Sequence, residues 1–230
     1  HLNEYFYYGG LPEIQSFKNK RAMLSSLYQK IYLGDICARN KIKNDHVMNI
    51  LIKKMAESVK QPLSFNRLRN VIVSTGSALS VPTTIDYAGY AADSWLILPM
   101  ENEVGKLTEK EMQKKYYFID NGLLNLFIMN PETSLLENMV AVELFRRYGK
   151  ENVYYLNADK EIDFIVPDEK LAIQVSYSIT EETTYNREVP PLVKYAKAHE
   201  DWKCLLITYD EENTKDGILV VPVWKWLTEE

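Results

Sequence analysis

The spacing of apolar residues changes along the chain, from helical in the first half to strand-like in the second. In the first half, the periodicity predicts a long helix over 16–39. Three shorter helices are predicted to begin after Asn44, Ser64 and Ser80, whose side chains are suited to capping a helix N-terminus. This part of the chain is therefore predicted to be helical.

Two apolar runs follow these helices, at 95–100 and 115–120, and a polar, loop-like stretch separates them. Each run predicts a strand. Three short helices followed by a two-stranded ribbon are typical of a winged-helix domain, although other small helical domains share the pattern. We therefore predict a winged-helix-like portion over 44–122.

The remaining residues alternate between helical and strand-like patterns. A helix from about Ser134 to Arg147 is followed by three apolar runs with turns between them, then by a second helix and two further runs. The predicted strands are 152–156, 161–167, 171–177, 203–209 and 218–226, and the second helix is 190–199. This order predicts a mixed α/β fold in which 123–230 forms an α/β/α domain.

Composition excludes some classes of protein without naming a function. The chain has 230 residues, of which 46% are hydrophobic, enough for a substantial core. No long apolar run predicts a membrane span or a secretion leader, so no membrane partner is expected. Two cysteines far apart in sequence, Cys37 and Cys204, favour free thiols in the cytoplasm. Because the first residue is His1, we expect a fragment of a longer protein.

The charge is unevenly distributed. Residues 1–115 carry 16 Lys and Arg against 11 Asp and Glu, a formal +5, whereas 116–230 carry 11 against 21, a formal −10. A basic excess between Arg39 and Arg69 can contact phosphate, or can be the solvated face of helices. The candidate nucleic-acid-binding residues are Lys53, Lys54, Arg67, Arg69, Thr83, Thr84 and Tyr87. Asp86 and Asp93, on the same predicted helix as Tyr87, argue against base reading.

The candidate chemistry lies on two neighbouring predicted strands. Glu161 and Asp163 lie on one, and Gln174 and Ser176 lie on the next. A restriction-endonuclease-like fold places carboxylate ligands of Mg²⁺ and then a lysine at these positions. Asp163 and Glu137 are the candidate metal ligands, and Glu137, Asp163 and Gln174 are the candidate catalytic residues. Ser176 stands where the lysine is expected, and a hydroxyl cannot replace an ammonium group.

A structural interpretation competes with the catalytic one. Glu161 can extend a polar turn with Asp159 and Lys160. Lys160 or Arg187 could supply the missing cation, but Arg187 beside Glu188 is explained more simply as a surface ion pair. We therefore expect a fold retained without catalysis, and keep a divergent Mg²⁺-dependent nuclease as the alternative.

Several motifs, in order along the chain, resemble one family. They are Gly9–Glu13 (GG-x-PE), Asp35-Ile36 with Arg39, Gly76–Ser80 (GS-x-x-S), Thr84-Ile85, Lys115-x-Tyr117-x-x-Asp120-x-Gly122-Leu123, Glu137-Asn138 and Glu161-x-Asp163-Phe164. Together they resemble the C-terminal half of bacterial and archaeal AAA-type ATPases, a domain of unknown function that follows the ATPase core.

The resemblance implies an ATPase core upstream of His1, so that ATP would bind only in that missing part. It also implies a helical lid remnant over 1–43, a winged-helix portion over 44–122 and a restriction-endonuclease-like domain over 123–230. We expect a non-catalytic accessory module that binds DNA nonspecifically or a protein partner. A homo-oligomer is a further possibility, and Trp224 and Trp226 have the character of exposed aromatics.

Overall fold

The computed structural model describes residues 1–158 and 161–229. They divide into two compact units. The N-terminal unit comprises His1–Pro99 and Glu111–Pro131, and the C-terminal unit comprises Met100–Lys110 and Glu132–Glu230. Helices and sheets occur in both, which confirms the predicted mixed α/β class. The predicted identities of the segments 1–43, 44–122 and 123–230 stay predictions.

Helices predominate in the first half of the described chain and strands in the second. The helices are α1 (Leu2–Tyr8), α2 (Pro12–Gln15), α3 (Lys20–Lys30), α4 (Asp45–Glu57), α5 (Phe65–Ser74), α6 (Val81–Asp93), α7 (Leu107–Met112), α8 (Asn121–Leu124), α9 (Glu132–Tyr148), α10 (Glu182–Ala198) and α11 (Val223–Thr228). The strands are β1 (Leu63–Ser64), β2 (Ile97–Met100), β3 (Gln113–Phe118), β4 (Tyr154–Asn157), β5 (Glu161–Val166), β6 (Leu171–Val175), β7 (Lys203–Thr208), β8 (Asn213–Lys215) and β9 (Ile218–Pro222).

The three short helices of the N-terminal unit begin where the sequence predicts. The side chains of Asn44, Ser64 and Ser80 each accept a hydrogen bond from the backbone amide three residues later. These caps satisfy amides that the first helical turn leaves without partners. A small sheet with strand order β1-β3-β2 accompanies the helices, and β1 pairs with β3 in the antiparallel sense.

A six-stranded sheet forms the centre of the C-terminal unit, with strand order β4-β5-β6-β7-β9-β8. Strand β5 pairs in the antiparallel sense with both β4 and β6, and β7 pairs with β6 in the parallel sense. Helix α10 makes the crossover between β6 and β7. Its buried Val189 and Leu192 pack on sheet residues that include Ile162, Ala172 and Leu206.

Some elements differ from their predicted bounds. Helix α10 begins at Glu182 and continues through Pro190 and Pro191, where the sequence predicts a break. Proline removes a backbone hydrogen bond, but the apolar face on either side remains buried, and this burial holds the helix together. The predicted strand 218–226 is wrong in its second half, because Val223–Thr228 is a helix. The predicted first helix begins at Lys20, and its end is π-helical over Ile31–Ala38.

A buried carboxylate joins the two ends of the N-terminal unit. Asp120, 6% exposed, accepts hydrogen bonds from the amides of Gly10 (2.8 Å), Gly122 (2.8 Å) and Leu123 (3.2 Å). Burial raises the pKa of the Asp120 carboxyl, while these backbone amides and that of Leu11 act in the opposite direction. The motif around Gly9 thus lies against the motif around Asp120, and the hydrogen bonds between them account for residues of both motifs.

Two glycines in this contact leave no room for a side chain. Gly9 has a φ of +78°, and a Cβ there would lie 2.0 Å from the Asp120 carboxylate oxygens. A Cβ at Gly122 would lie 2.3 Å from the backbone oxygen of Tyr8. Both positions therefore require glycine for steric reasons.

We predict that Gly122→Ala lowers the free energy of unfolding by about 2–4 kcal/mol, because the clash is with backbone that cannot move aside. Gly89→Ala is the matched control: it lies in α6 with nothing within 4 Å of its added methyl group. The control is expected to be neutral or to stabilise by up to about 1 kcal/mol. Urea unfolding of both variants measures the difference, and equal effects would contradict the steric role of Gly122.

Candidate functional site

The predicted catalytic residues Asp163 and Gln174 meet where the pairing of β5 and β6 ends. The last regular pair of the two strands is Phe164 with Ile173. One step further, the Asp163 amide donates to Gln174 Oε1 (3.3 Å), and the Val175 amide donates to Asp163 Oδ2 (3.0 Å). The two buried side chains therefore continue the hydrogen bonding of the sheet, as a clamp between the strands.

The clamp extends to helix α10. Gln174 Nε2 donates to Glu188 Oε2 at 2.6 Å, and the other oxygen of Glu188 pairs with Arg187 Nε at 2.7 Å. Glu188 is buried, whereas the Arg187 side chain is 72% exposed. The predicted Arg187–Glu188 ion pair forms, but its carboxylate lies in the interior and not at the surface. Arg187 is held by Glu188 at the surface end of the cluster.

Ser176, at the position predicted for a catalytic lysine, has a structural role. Its hydroxyl donates to the backbone oxygen of Ser178 at 2.9 Å. The loop that follows encloses the carboxylate of Glu211, whose Oε1 accepts from Ser178 Oγ (2.5 Å), the Ile179 amide (3.0 Å) and Thr180 Oγ1 (3.2 Å). No ammonium or guanidinium group takes part in these bonds between described residues.

The other predicted ligand, Glu137, is buried in α9 and engaged by neighbouring groups. Glu161, at the start of β5, is exposed. Within 1–158 and 161–229, no group of three or more His, Cys, Asp or Glu side chains is placed to hold a metal ion. Asp159 and Lys160 lie outside the described residues. The Mg²⁺ assignment of Asp163 and Glu137 therefore stays a prediction.

Three of the predicted nucleic-acid-binding residues line one open groove in the N-terminal unit. Arg69, Thr83 and Tyr87 surround a cavity of about 540 Å³, together with the capping residues Asn44 and Ser80. Arg69 Nε donates to the backbone oxygen of Leu79 at 3.1 Å, which fixes the guanidinium at the wall of the groove. Burial raises the pKa of the Tyr87 hydroxyl. The groove thus presents one fixed cation and several hydroxyl groups.

The remaining predicted residues differ in exposure. Lys53 and Arg67 are exposed, and Lys54 pairs with Glu57 at 3.0 Å. Thr84 is fully buried, and its hydroxyl donates to the backbone oxygen of Ser80 at 2.8 Å. Its side chain serves the first turn of α6 and is not accessible to DNA, so the prediction for Thr84 is corrected.

A second buried cluster fastens the C-terminal helix α11 to α9. Glu143 accepts hydrogen bonds from Arg146 Nε (2.8 Å) and Arg147 Nε (2.5 Å). Arg147 also donates to the backbone oxygen of Trp226 at 3.1 Å, and its guanidinium lies 4.7 Å from the centre of the Trp226 ring. Burial acts to raise the pKa of Glu143, but the two arginines outweigh it and lower that pKa below its ordinary value. Trp226 is buried, contrary to its predicted exposure, whereas Trp224 is half-exposed.

Comparison with known proteins identifies the family. Residues 1–134, more than half of the chain, match a family described as a domain of unknown function, DUF8612. The chain belongs to this family. Over 98% of its length it is 29% identical to an uncharacterized protein of Methanocaldococcus jannaschii and 31% identical to one of Haemophilus influenzae. It covers 55% and 57% of those proteins, so it spans about half the length of the curated relatives it matches. No solved structure matches the chain.

The DUF8612 match includes the Gly9–Gly10 and Asp120–Gly122 motifs, which the N-terminal unit brings together. The Asp163 clamp lies beyond the matched residues. In the part of the chain that the structure describes, no helix is long and apolar enough to cross a membrane.

The sequence does not predict the structural roles of two residues, Glu188 and Asp120. The break that Pro190 and Pro191 predict in the helix places Glu188 at the surface. Its apolar neighbours Val189 and Leu192 were the signal that the helix continues inward. In the sequence, Asp120 stands out only as part of a motif. The turn residues Asn121 and Gly122 after an apolar strand were the local sign of a capping carboxylate.

We predict that Gln174→Ala destabilises the C-terminal unit by about 2–4 kcal/mol, because it removes the buried hydrogen bonds that the Gln174 side chain makes with the Asp163 amide and the Glu188 carboxylate. Gln29→Ala, at an exposed position in α3, is the control, with an expected change within about 0.5 kcal/mol. Chemical denaturation followed by circular dichroism measures both. A neutral Gln174→Ala would mean that the clamp does not support the sheet.

We predict that the stabilising effect of Glu143 is fully present above about pH 4.5, the ordinary range of a glutamate pKa, and is lost as the pH falls through its lowered folded-state value. Wild type and Glu143→Gln should therefore differ most in unfolding free energy at neutral pH and converge on acidification. Glu200→Gln, at an exposed position in the same unit, is the control and should show no such convergence. A pH-independent difference for Glu143→Gln would contradict the ion-pair origin.

Proposed function

We propose that this chain is a non-catalytic accessory module of an AAA-type ATPase and that it binds the phosphate backbone of DNA without sequence preference. The non-catalytic part of this proposal is supported by the clamp that Asp163 and Gln174 form between β5 and β6. Asp163 Oδ2 accepts a hydrogen bond from the Val175 amide, and the Gln174 side chain bonds to the Asp163 amide and to Glu188. Ser176 supplies no positive charge. A metal-dependent nuclease needs those carboxylate oxygens for the ion and a cation for the phosphate.

The element order of the C-terminal unit supports descent from a restriction-endonuclease-like fold. Helix α9 is followed by the antiparallel strands β4, β5 and β6, then by α10 and by β7, which runs parallel to β6. Asp163 lies on the second of these strands and Gln174 on the third, as the resemblance implies. In this proposal the fold has been retained and its central polar residues have become structural.

The N-terminal unit supports the DNA-binding part. Its order is α4, β1, α5, α6, β2 and β3, with α7 before β3 and a three-stranded sheet, and this order resembles that of a winged-helix domain. The unit carries 14 Lys and Arg against 9 Asp and Glu, a formal charge of +5. A positive surface favours phosphate at any sequence. Asp86 and Asp93, both exposed on α6, disfavour reading of bases by that helix.

The exposed Lys53 and Arg67 are the proposed main contacts, and Arg69, Thr83 and Tyr87 at the groove are the proposed supporting contacts. Residues Met100–Lys110, between β2 and β3, belong to the C-terminal unit and are not assigned to DNA. Both relatives are longer than this chain, which supports the presence of a further domain in those proteins. In the proposed assembly that part is the ATPase, which would use DNA binding by this module.

We predict that the chain binds duplex DNA at low salt and that affinity falls steeply as salt rises. The double variant Lys53→Gln/Arg67→Gln should weaken binding several-fold and reduce the slope of log affinity against log salt by about 1–2, roughly one unit per lost phosphate contact. Fluorescence anisotropy with two unrelated DNA sequences measures both quantities.

The matched control is Lys194→Gln/Lys197→Gln, which removes the same charge from exposed positions on α10. Equal losses in the two double variants would show that only net charge matters and would contradict the assigned surface. Absence of binding at low salt would reject the DNA proposal in favour of a protein partner. Cleavage of the DNA on addition of Mg²⁺, abolished by Asp163→Ala, would reject the non-catalytic part and favour the nuclease alternative.

A further inference from the structure

The outer edge of β4 is occupied by a short segment of the chain itself. Asn102 pairs with Tyr155 in a single parallel bridge, in which the Tyr155 amide donates to the Glu101 oxygen (3.0 Å) and the Glu103 amide donates to the Tyr155 oxygen (2.8 Å). This segment, which we name the strap, comprises Glu101–Glu103. It covers backbone groups that an edge strand would otherwise leave open to pairing.

The side chain of Asn102 extends this pairing. Its Nδ2 donates to the Asn157 oxygen at 3.0 Å, and its Oδ1 accepts from the Asn157 amide at 3.1 Å. After Asn102 the backbone turns away from β4, because the Gly105 amide donates to the Asn102 oxygen at 3.2 Å. The Asn102 amide group thus takes the place of the next peptide group of the added strand. Because only an amide side chain both donates and accepts in this way, asparagine sets the register.

The strap is held by polar contacts and not by burial. Met100 is buried at its start, but none of the residues 101–110 is buried, and Val104 and Leu107 are 53% and 76% exposed. Hydrogen bonds at an exposed edge exchange with water at little net cost. Segments with few buried apolar contacts open locally without unfolding the rest of the protein.

We propose that the β4 edge is a peptide-docking site, which the strap occupies until another peptide displaces it. The partner that binds there is an extended peptide with asparagine in the register of Asn102. Such a peptide adds to the edge through Tyr155 and Asn157, in the manner of strand addition. While the strap is docked, it competes with any added peptide at high effective concentration, because it belongs to the same chain.

The test uses a synthetic peptide of residues 99–107, PMENEVGKL, titrated to millimolar concentration into the isotope-labelled protein. In the variant Asn102→Ala/Glu103→Pro, which removes three of the four strap bonds, the peptide should shift the amide resonances of Tyr155 and Asn157. Wild type and the control variant Glu103→Ala, which keeps the amide at 103, should bind it at least roughly tenfold more weakly. The peptide carrying Asn102→Ala should not bind. Equal binding to all three proteins, or none to a folded double variant, overturns the proposal.

Hydrogen exchange of the wild-type chain keeps the proposal testable if the double variant does not fold. The amides of Glu103, Tyr155 and Asn157 should exchange at least roughly tenfold faster than those of β6, because the strap opens by itself. Exchange at the rate of β6 would mean that the strap leaves only on global unfolding, and this result also overturns the proposal.

Discussion

The N-terminal unit depends on one buried negative charge. Asp120 lies in the interior, where a carboxylate is costly unless hydrogen bonds replace its water. The backbone amides of Gly10 and Leu11 on one side, and those of Gly122 and Leu123 on the other, make that replacement. Because amides are fixed in the backbone, the charge can be satisfied only when the first turns of the chain lie against α8. The side chains of Asn121 and Asn125 strengthen this contact, since their Nδ2 atoms donate to the backbone oxygens of Phe6 and Tyr7.

The same principle applies in the C-terminal unit, where buried polar side chains bond to backbone groups and to each other. Asp163 and Gln174 are buried between β5 and β6, and Glu188 joins them from α10. Once an acid is bonded to backbone amides of the neighbouring strand, its removal destabilises the sheet. The presence of such a residue therefore does not by itself indicate catalysis.

The Met100–Lys110 segment gives the two units a linkage beyond a single connection. The chain leaves the N-terminal unit at Pro99, contributes the strap to the edge of β4, and returns at Glu111 before it leaves again at Pro131. The exposed edge, the asparagine register and the weak burial are the physical basis for treating this contact as exchangeable.

The sequence by itself determined the features that act over one or two turns. These are the caps at Asn44, Ser64 and Ser80 and the change from helical to strand-like segments along the chain. Tertiary structure alone decided that Thr84, Glu188 and Trp226 are buried and that α10 continues through two prolines. It also gave Asp120 a partner 110 positions away. Periodicity and capping depend on neighbours in sequence, whereas burial and the partners of a polar group depend on residues that only the folded chain brings together.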